Sequence, residues 1–452
     1  MQAATAARVV RAERLDAPAH ARVAIVGAGA CGLMAAIALR DAGVHCVLLE
    51  RDKQPGGSTA LSSGFIPAAG TQVQRAQGIA DLVADFAGDI AAKSHAGAAP
   101  HLVQAYAEAV APALDRLAGH GLRFEVLDNF LYPGHRAYRM HTLRERTGAA
   151  LVAALLRAAQ EAGADLLPAA RVVELRVDAQ DRVLGVGSER PDGTIEHLAC
   201  DALLLACNGF GGNAALVREL LPGMAHAVFA GHAGNDGSAI LWGRALGAAL
   251  ADLGACQGHG SWVVPQGALM TWAVMMEGGV QLNAHGERFH DERAGYSEAA
   301  VDVLAQPGGQ AWNVFGAAQL ALAREFPDFR AAEAAGALRT ASDREGLAAI
   351  IGCLPQRLAP EIARFGPPFH AVRVTGALFH TQGGLAIDAQ CRVLRADASV
   401  FPNLLAAGGA ARGVSGNTVE GYLSGNGLLS AIAGGWIAAH TAAREMQGVS
   451  RR

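Results

Sequence analysis

The sequence predicts an α/β protein: a Rossmann-like nucleotide-binding domain interrupted by an inserted α+β domain. Three observations predict it. A strand, a glycine turn, a helix and a second strand follow one another within residues 22–50. A short meander over 171–199 leads into another apolar strand, and strand and glycine-loop patterns return after 373. Between them, from about 240 to 370, the composition changes to glycine, Trp and Met mixed with charge clusters. At 452 residues the chain is too long for one small core. The expected division is 1–20 as a flexible tail, 21–240 and 373–452 as the nucleotide-binding domain, and 241–372 as the insertion.

The elements follow in order. Residues 22–26 (Arg-Val-Ala-Ile-Val) are a short apolar run of the kind buried in parallel sheets. Gly27 opens the turn, 33–42 has helix-forming content, Gly43 stops the helix, and 45–49 is a second buried strand ending at Glu50. Residues 78–166 are Ala/Leu-rich and read as mostly helical, with breaks at Pro100, Gly119–Gly121 and Pro133-Gly134. The runs 171–178, 182–189 and 194–199, with turn chemistry at Gln180-Asp181 and Asp192-Gly193, read as an antiparallel meander. Residues 202–207 then return as a buried strand. An Ala/Arg-rich helical stretch is expected over 317–365, and a strand (404–407), a glycine loop and a closing helix (428–442) end the pattern.

Composition excludes several classes. Hydrophobic residues are 51% and charged residues 17%, which argues against disorder over most of the length. A net charge of −4 offers nothing to nucleic acid or an anionic membrane. Only Lys53 and Lys93 among the 37 basic residues are lysines. Neither stands in a P-loop or in an apolar run that would suit a Schiff base. The seven cysteines show no C-x-x-C and no zinc spacing, so haem attachment, iron–sulfur and structural zinc sites are not expected, nor any other metal. Their odd number fits a reducing compartment, and the cytoplasm is the expected location. The apolar stretch 428–439 is shorter than the roughly 20 residues a bilayer span needs.

Gly27-Ala28-Gly29-Ala30-Cys31-Gly32 is G-x-G-x-x-G between a strand and a helix. Its first glycine permits the tight turn, the second lets backbone approach a pyrophosphate, and the third packs helix on strand. The helix N-terminus offers unpaired N–H groups to phosphates. Glu50, 18 residues past Gly32, ends the next strand where a carboxylate accepts from ribose hydroxyls. Pro55-Gly56-Gly57-Ser58-Thr59, the meander and a second glycine loop over 408–427 suit FAD bound in extended form better than NAD.

Taken together, these residues resemble the FAD-dependent family that holds fumarate reductase and succinate dehydrogenase flavoprotein subunits together with 3-ketosteroid Δ1-dehydrogenases. The likeness runs from about 22 to 440. It is carried by the G-x-G-x-x-G with Glu50, by 56–64, by 208–213 with 235–237, by 286–292, by 380–384, and by the flavin-ring loop from 405 to 427. The resemblance implies a glutathione-reductase-like FAD domain with a mobile cap and the substrate between them. It implies FAD contacts at Gly27, Gly29, Cys31, Gly32, Glu50 and Arg51, then at Gly57, Ser58, Thr59, Ser63 and Gly64. Further contacts are implied at Val172, Asn208, Gly209 and Asp236, and at Gly408, Gly409, Gly427 and Leu428. Respiratory members link FAD covalently through a histidine where this chain has Ser58, so FAD is expected to be non-covalent. Where fumarate reductases have a proton-donating arginine this chain has Tyr296, and the late arginine that clamps a carboxylate is missing from 416–422. Ketosteroid dehydrogenases carry tyrosines at the positions of Tyr296 and Tyr422. Two histidines, His259 and His380, look like the fumarate reductase substrate ligands.

Desaturating a carbon pair beside a carbonyl needs donors on the carbonyl oxygen, a base for the α-proton, and flavin N5 for the β-hydride. Tyr422 O–H and the Gly427 N–H are candidate donors, and Tyr296 the candidate base, with Arg293 as a source of positive potential. Lowering a tyrosine from about 10 to about 7–8 needs roughly 3–4 kcal/mol. His259 and His380 suit a substrate carbonyl as neutral donors or a carboxylate as cations. Arg412 reads as a salt-bridge residue rather than a substitute clamp, and Arg139-Met140-His141 as a solvated loop. The expected activity is oxidation of a CH–CH bond next to a carbonyl in a small ketone or keto acid. The alternatives are a reductase of a small unsaturated acid and a non-catalytic protein on the same fold. The electron acceptor is left open among O₂, a quinone, a soluble carrier and a partner protein.

Overall fold

The computed structural model describes residues 7–128 and 130–449. It divides into two units. The first takes the chain up to Leu216, Gly231–Ala255 and everything from His380; the second takes Val217–Ala230 and Cys256–Phe379.

The first unit is built on a nine-stranded sheet. Ala19–Val26 lies at its centre, parallel to Cys46–Leu49 on one side and to Ile195–Leu205 on the other. Asp165–Leu167 continues the parallel set beyond Cys46–Leu49. Val23, Ala24 and Ile25 are fully buried, as a strand covered on both faces requires. The helices Ala30–Asp41 and Asn426–Val449 pack on one another, and Ala30–Asp41 lies on this sheet.

The meander and the strand expected after it are continuous. Ile195–Leu205 is antiparallel to Val183–Glu189 through its first five residues. Its last three run parallel to Val400–Ala406. Its burial changes at the same place, from half-exposed to fully buried.

Several expectations need correction. Residues 1–6 lie outside the described residues, but the rest of the expected tail is ordered: Arg8–Arg11 is a strand parallel to Arg171–Val177, and the central strand begins at Ala19. Pro100 opens the helix Pro100–Gly119 instead of breaking one, since a first-turn residue has no use for its missing N–H. The Arg139-Met140-His141 segment is no solvated loop. Met140–Thr142 is a strand, and Arg139 and His141 are at most 1% exposed. Arg139 pairs with Asp81 (2.7 Å) and with Asp89, which is why a charged residue tolerates that burial.

In the second unit Phe369–Thr381 is the organising strand. Cys256–Val263 and Gln310–Phe315 flank it, and Val228–Phe229 and Leu338–Ala341 also pair with it. The unit therefore recruits 217–230 and begins at Cys256, not at 241. Residues 241–255 stay with the first unit, where Leu250–Ala251 pairs with Gly384–Leu385. The expected helical stretch 317–365 is interrupted. Ala317–Ala323, Pro327–Ala334 and Arg344–Ile351 are helices, but Leu338–Ala341 is a strand.

Candidate functional site

The cofactor residues of the first unit assemble around the N-terminus of Ala30–Asp41. Gly27 has φ +104°, and a Cβ there would stand 2.6 Å from the Ala206 carbonyl, so the turn is closed to any other residue. Gly29, at the helix N-cap, offers no side-chain cap. Among the described residues, only the Ala30 N–H of this helix's first turn has a side-chain partner, Thr59 Oγ1 at 3.1 Å. Glu50 is buried and accepts from the Ala28 and Asp52 N–H groups (2.8 and 3.0 Å), which holds its carboxylate at the strand end. Val172 follows directly on this corner, since the Ala170 N–H bonds the Glu50 carbonyl.

The distant glycine loops do converge. A Cβ on Gly209 would collide with Thr381 Oγ1, and one on Gly409 with Asn208 Oδ1. A Cβ on Gly408 would stand 3.2 Å from the Cβ of Cys31. Gly64, with φ +71°, is backed by Thr147 of another loop. Above Gly57 lies open space. Ser58 Oγ accepts from Asn235 Nδ2 at 2.8 Å. Arg51 donates to Asp236 (3.1 Å) and to the Gly234 carbonyl, so these two residues tie the loops together. Ser63 is exposed; its neighbour Ser62 makes the loop's hydrogen bonds. An uncapped helix end, a backbone cradle that admits no Cβ at Gly27, Gly32, Gly209 or Gly409 and an anchored carboxylate fit a dinucleotide carrying a pyrophosphate and a ribose.

Beside the start of the closing helix stands a polar group, also in the first unit. His380 approaches Gly427 so closely that a Cβ there would be 2.8 Å from its Cε1 and Nε2. Gly427 and Leu428 are half-buried in the first turn of Asn426–Val449. The Tyr422 ring meets His380 edge to face, with centroids 5.7 Å apart. Burial pushes the Tyr422 phenol well above its ordinary range, although the Gly427 and Gly425 N–H groups face its oxygen. Burial lowers His380 to about 4. Arg412 makes a two-point pair with Asp252 (2.6 and 3.2 Å), as the salt-bridge reading expected.

His259 and Tyr296 meet in the second unit. Gly258 and Gly260 flank His259, and Cβ atoms on them would stand 2.7 Å from Ala300 and Ala299. The helix Tyr296–Leu304 therefore lies directly on the strand Cys256–Val263, and its first residue stacks on His259 (5.1 Å, 18°). Trp272 meets His259 edge-on and Phe379 is tilted at 6.0 Å. The Ser261 N–H donates to His259 Nδ1 (3.1 Å), which leaves the proton on Nε2. Burial lowers this histidine to about 3. Arg293 is exposed. The 286–292 segment is held by Arg288 and Glu292 (2.9 Å), and the buried Glu292 also accepts from the Gln281 N–H.

Sequence reasoning missed Trp272, Phe379, Gln382, Ser415 and Asn426. The glycines on either side of His259 were the one local signal that a helix is laid against that strand.

The FAD binding domain family matches residues 22–428. Among curated relatives, the NADH:fumarate oxidoreductase of Klebsiella pneumoniae is 27% identical over 96% of this chain and 48% of its own length. The chain thus spans about half of that protein. Among solved structures, the open conformation of a flavocytochrome c3 fumarate reductase is 26% identical with TM-score 0.82, over 95% of this chain and 79% of that one. The 3-ketosteroid-Δ4-(5α)-dehydrogenase from Rhodococcus jostii RHA1 has the same fold (TM-score 0.78, 23% identity, 96% and 100% covered). No described helix is long and apolar enough to cross a membrane. With the cradle at Gly27, Glu50 and Gly409 and a match over nine-tenths of its length, the chain belongs to the FAD-binding-domain family, among the FAD-dependent oxidoreductases that include the fumarate reductases.

Proposed function

We propose that the protein oxidises a CH–CH bond next to the carbonyl of a small ketone or keto acid, with non-covalent FAD. The observation that carries this reading is the charge state of the groups at hand. Burial keeps His259 and His380 neutral and Tyr422 protonated. The one buried arginine among the described residues, Arg139, is committed to Asp81 and Asp89, and Arg412 to Asp252. Neutral donors polarise a carbonyl and stabilise enolate charge as it develops, whereas a carboxylate calls for a cation.

Bound FAD supplies the acceptor for the β-hydride. In this reading Tyr422 donates to the carbonyl oxygen, and backbone N–H groups facing its oxygen strengthen that donation. His259, protonated on Nε2, is a second neutral donor. Tyr296, entering the step as its tyrosinate, takes the α-proton as general base and becomes the phenol, with its ring position fixed by the stack on His259. Non-covalent flavin and the contacts inferred for Val172, Ser63 and Leu428 are part of the same proposal.

A reductase of a small unsaturated acid is the second reading. It is favoured by the likeness to the Klebsiella NADH:fumarate oxidoreductase. The two separate in one experiment, an absorbance scan of the FAD-loaded protein under anaerobic conditions. Bleaching of the flavin bands by a panel of saturated cyclic ketones is the expected result. Re-oxidation of photoreduced protein by fumarate, with no ketone effective, overturns the first reading in favour of the second.

A further inference from the structure

We propose that Gln382 is a positioning residue that holds His380 as its Nε2–H tautomer, and that Ser415 and Asn426 orient Gln382 for this purpose. The proposal rests on the reading of His380 as a group that serves the reaction.

Four side chains of the first unit form an unbroken chain. Asn426 Nδ2 donates to Ser415 Oγ at 3.0 Å, Ser415 Oγ to Gln382 Oε1 at 3.0 Å, and Gln382 Nε2 to His380 Nδ1 at 3.1 Å. Asn426, Ser415 and Gln382 are 0%, 1% and 3% exposed, so water does not compete for these bonds. The backbone of Gln382 is fixed as well: its N–H bonds the Ala255 carbonyl, and its carbonyl accepts from the Gly413 N–H (2.8 Å each).

Each bond in the chain has a direction. His380 Nδ1 has two neighbours that ask for opposite tautomers: the Gln382 amide, and the Thr381 carbonyl at 3.5 Å. The carbonyl is at the limit of hydrogen-bond distance, so the amide decides. The amide orientation is set from the far end. Asn426 opens a 24-residue helix; its own N–H bonds the Leu423 carbonyl, and the N–H groups that follow it in the first turn have no intrahelical partner. An amide oxygen is the favoured occupant on that positive side, which leaves Nδ2–H for Ser415. Ser415, already accepting, turns its own proton on Gln382 Oε1, and Gln382 offers N–H to the histidine. Asn426 Oδ1 and Ser430 Oγ, one turn apart on the closing helix, are the buried atoms without a protein partner at this end.

The consequence falls on the opposite edge of the ring. Nδ1 accepts, so the proton sits on Nε2, on the edge that abuts Gly427 at the start of the closing helix. His380 therefore presents a donor there, beside the positive helix end.

Heteronuclear NMR of the FAD-loaded protein with isotope-labelled histidine reads both ring nitrogens, and loss of a signal pair in His380→Asn assigns them. The expected result is a protonated Nε2 and an unprotonated Nδ1. Gln382→Glu replaces the donor by an acceptor and exchanges the two shifts. Ser415→Ala, a milder change at the next link, moves both shifts towards each other as the tautomers mix. An Nδ1–H tautomer in the unaltered protein overturns the proposal. So do shifts left unmoved by Gln382→Glu in protein that retains FAD or, where it does not, by Ser415→Ala. A protein that desaturates no ketone leaves this readout untouched, so failure of the proposed activity and failure of the relay are separate results.

Discussion

Replacing Arg139 by Met removes the charge and keeps most of the length of a side chain that is 1% exposed. What it leaves behind sets the magnitude. Asp81 and Asp89, 1% and 5% exposed at their side chains, both lose a charged partner. Breaking a buried pair from one side costs about 3–5 kcal/mol, far above the roughly 0–1 kcal/mol of an exposed pair. Arg136 still reaches Asp89, so the lower part of that range is expected. Burial pushes the Asp89 carboxyl up, but hydrogen bonds and charge from Arg139 and Arg136 outweigh it and hold the group below its ordinary 3.8. A carboxyl lowered in this way stabilises the fold at pH above its unfolded value and loses that contribution as pH falls through the folded value. In Arg139→Met the same carboxyl is buried with less opposition, and protonating it in mild acid relieves the variant. The gap between the two proteins therefore narrows as the pH falls. Urea midpoints of the FAD-loaded proteins, followed by circular dichroism at neutral and mildly acidic pH, measure it. A loss below about 1 kcal/mol, or a gap independent of pH, refutes the argument. Adding Asp89→Asn to the variant recovers part of the loss.

Tyr296→Phe should lower kcat by about 10²–10⁴-fold with FAD content unchanged, the usual range for a lost general base, and rapid-mixing flavin reduction measures it. Gly27→Ala places a methyl 2.6 Å from the Ala206 carbonyl at φ +104°, and the purified variant should lack the flavin absorbance. His135 and His141 are lowered by burial to about 4, as is His380, and His259 to about 3, from an ordinary 6.5. The unfolded chain binds more protons between those values, so stability should fall as pH drops below 6.5, with the His259 contribution still growing down to about 3, readable as thermal midpoints across that range.

Much of the nucleotide-binding architecture was legible because it is local. The strand, turn and helix around Gly27 carry their signal within thirty residues, and Glu50 closes the same unit. The convergence of Asn208, Gly209, Gly408 and Gly409 was legible only as a pattern of glycines, since which loop meets which depends on sheet order. Arg139 was misread for a physical reason. A charged triplet is normally solvated, and the carboxylates that make its burial tolerable lie 50 and 58 residues away. Gln382 and Ser415 look like ordinary loop residues until the fold sets them behind His380. The insertion boundaries were displaced because Val228–Phe229 is a two-residue strand, too short to show a period.

The strand Ile195–Leu205 also bears on how the protein is made. Its inner end pairs with Leu404, Leu405 and Ala406, so that Leu203 waits for a partner 201 residues further on. At synthesis rates of about 5–20 residues per second, this interval is about 10–40 s. Throughout it, the nascent chain carries Leu203, Leu204 and Leu205 with one flank of a β-edge unpaired, the kind of template on which chains cross-associate. The bonds between Asn403 and Val183, 220 residues apart, are closed by the same late arrival. Yield in a rapidly translating host should therefore depend on ribosome-associated chaperones, and a truncation before residue 400 should aggregate even though every residue of the Gly27 turn is present.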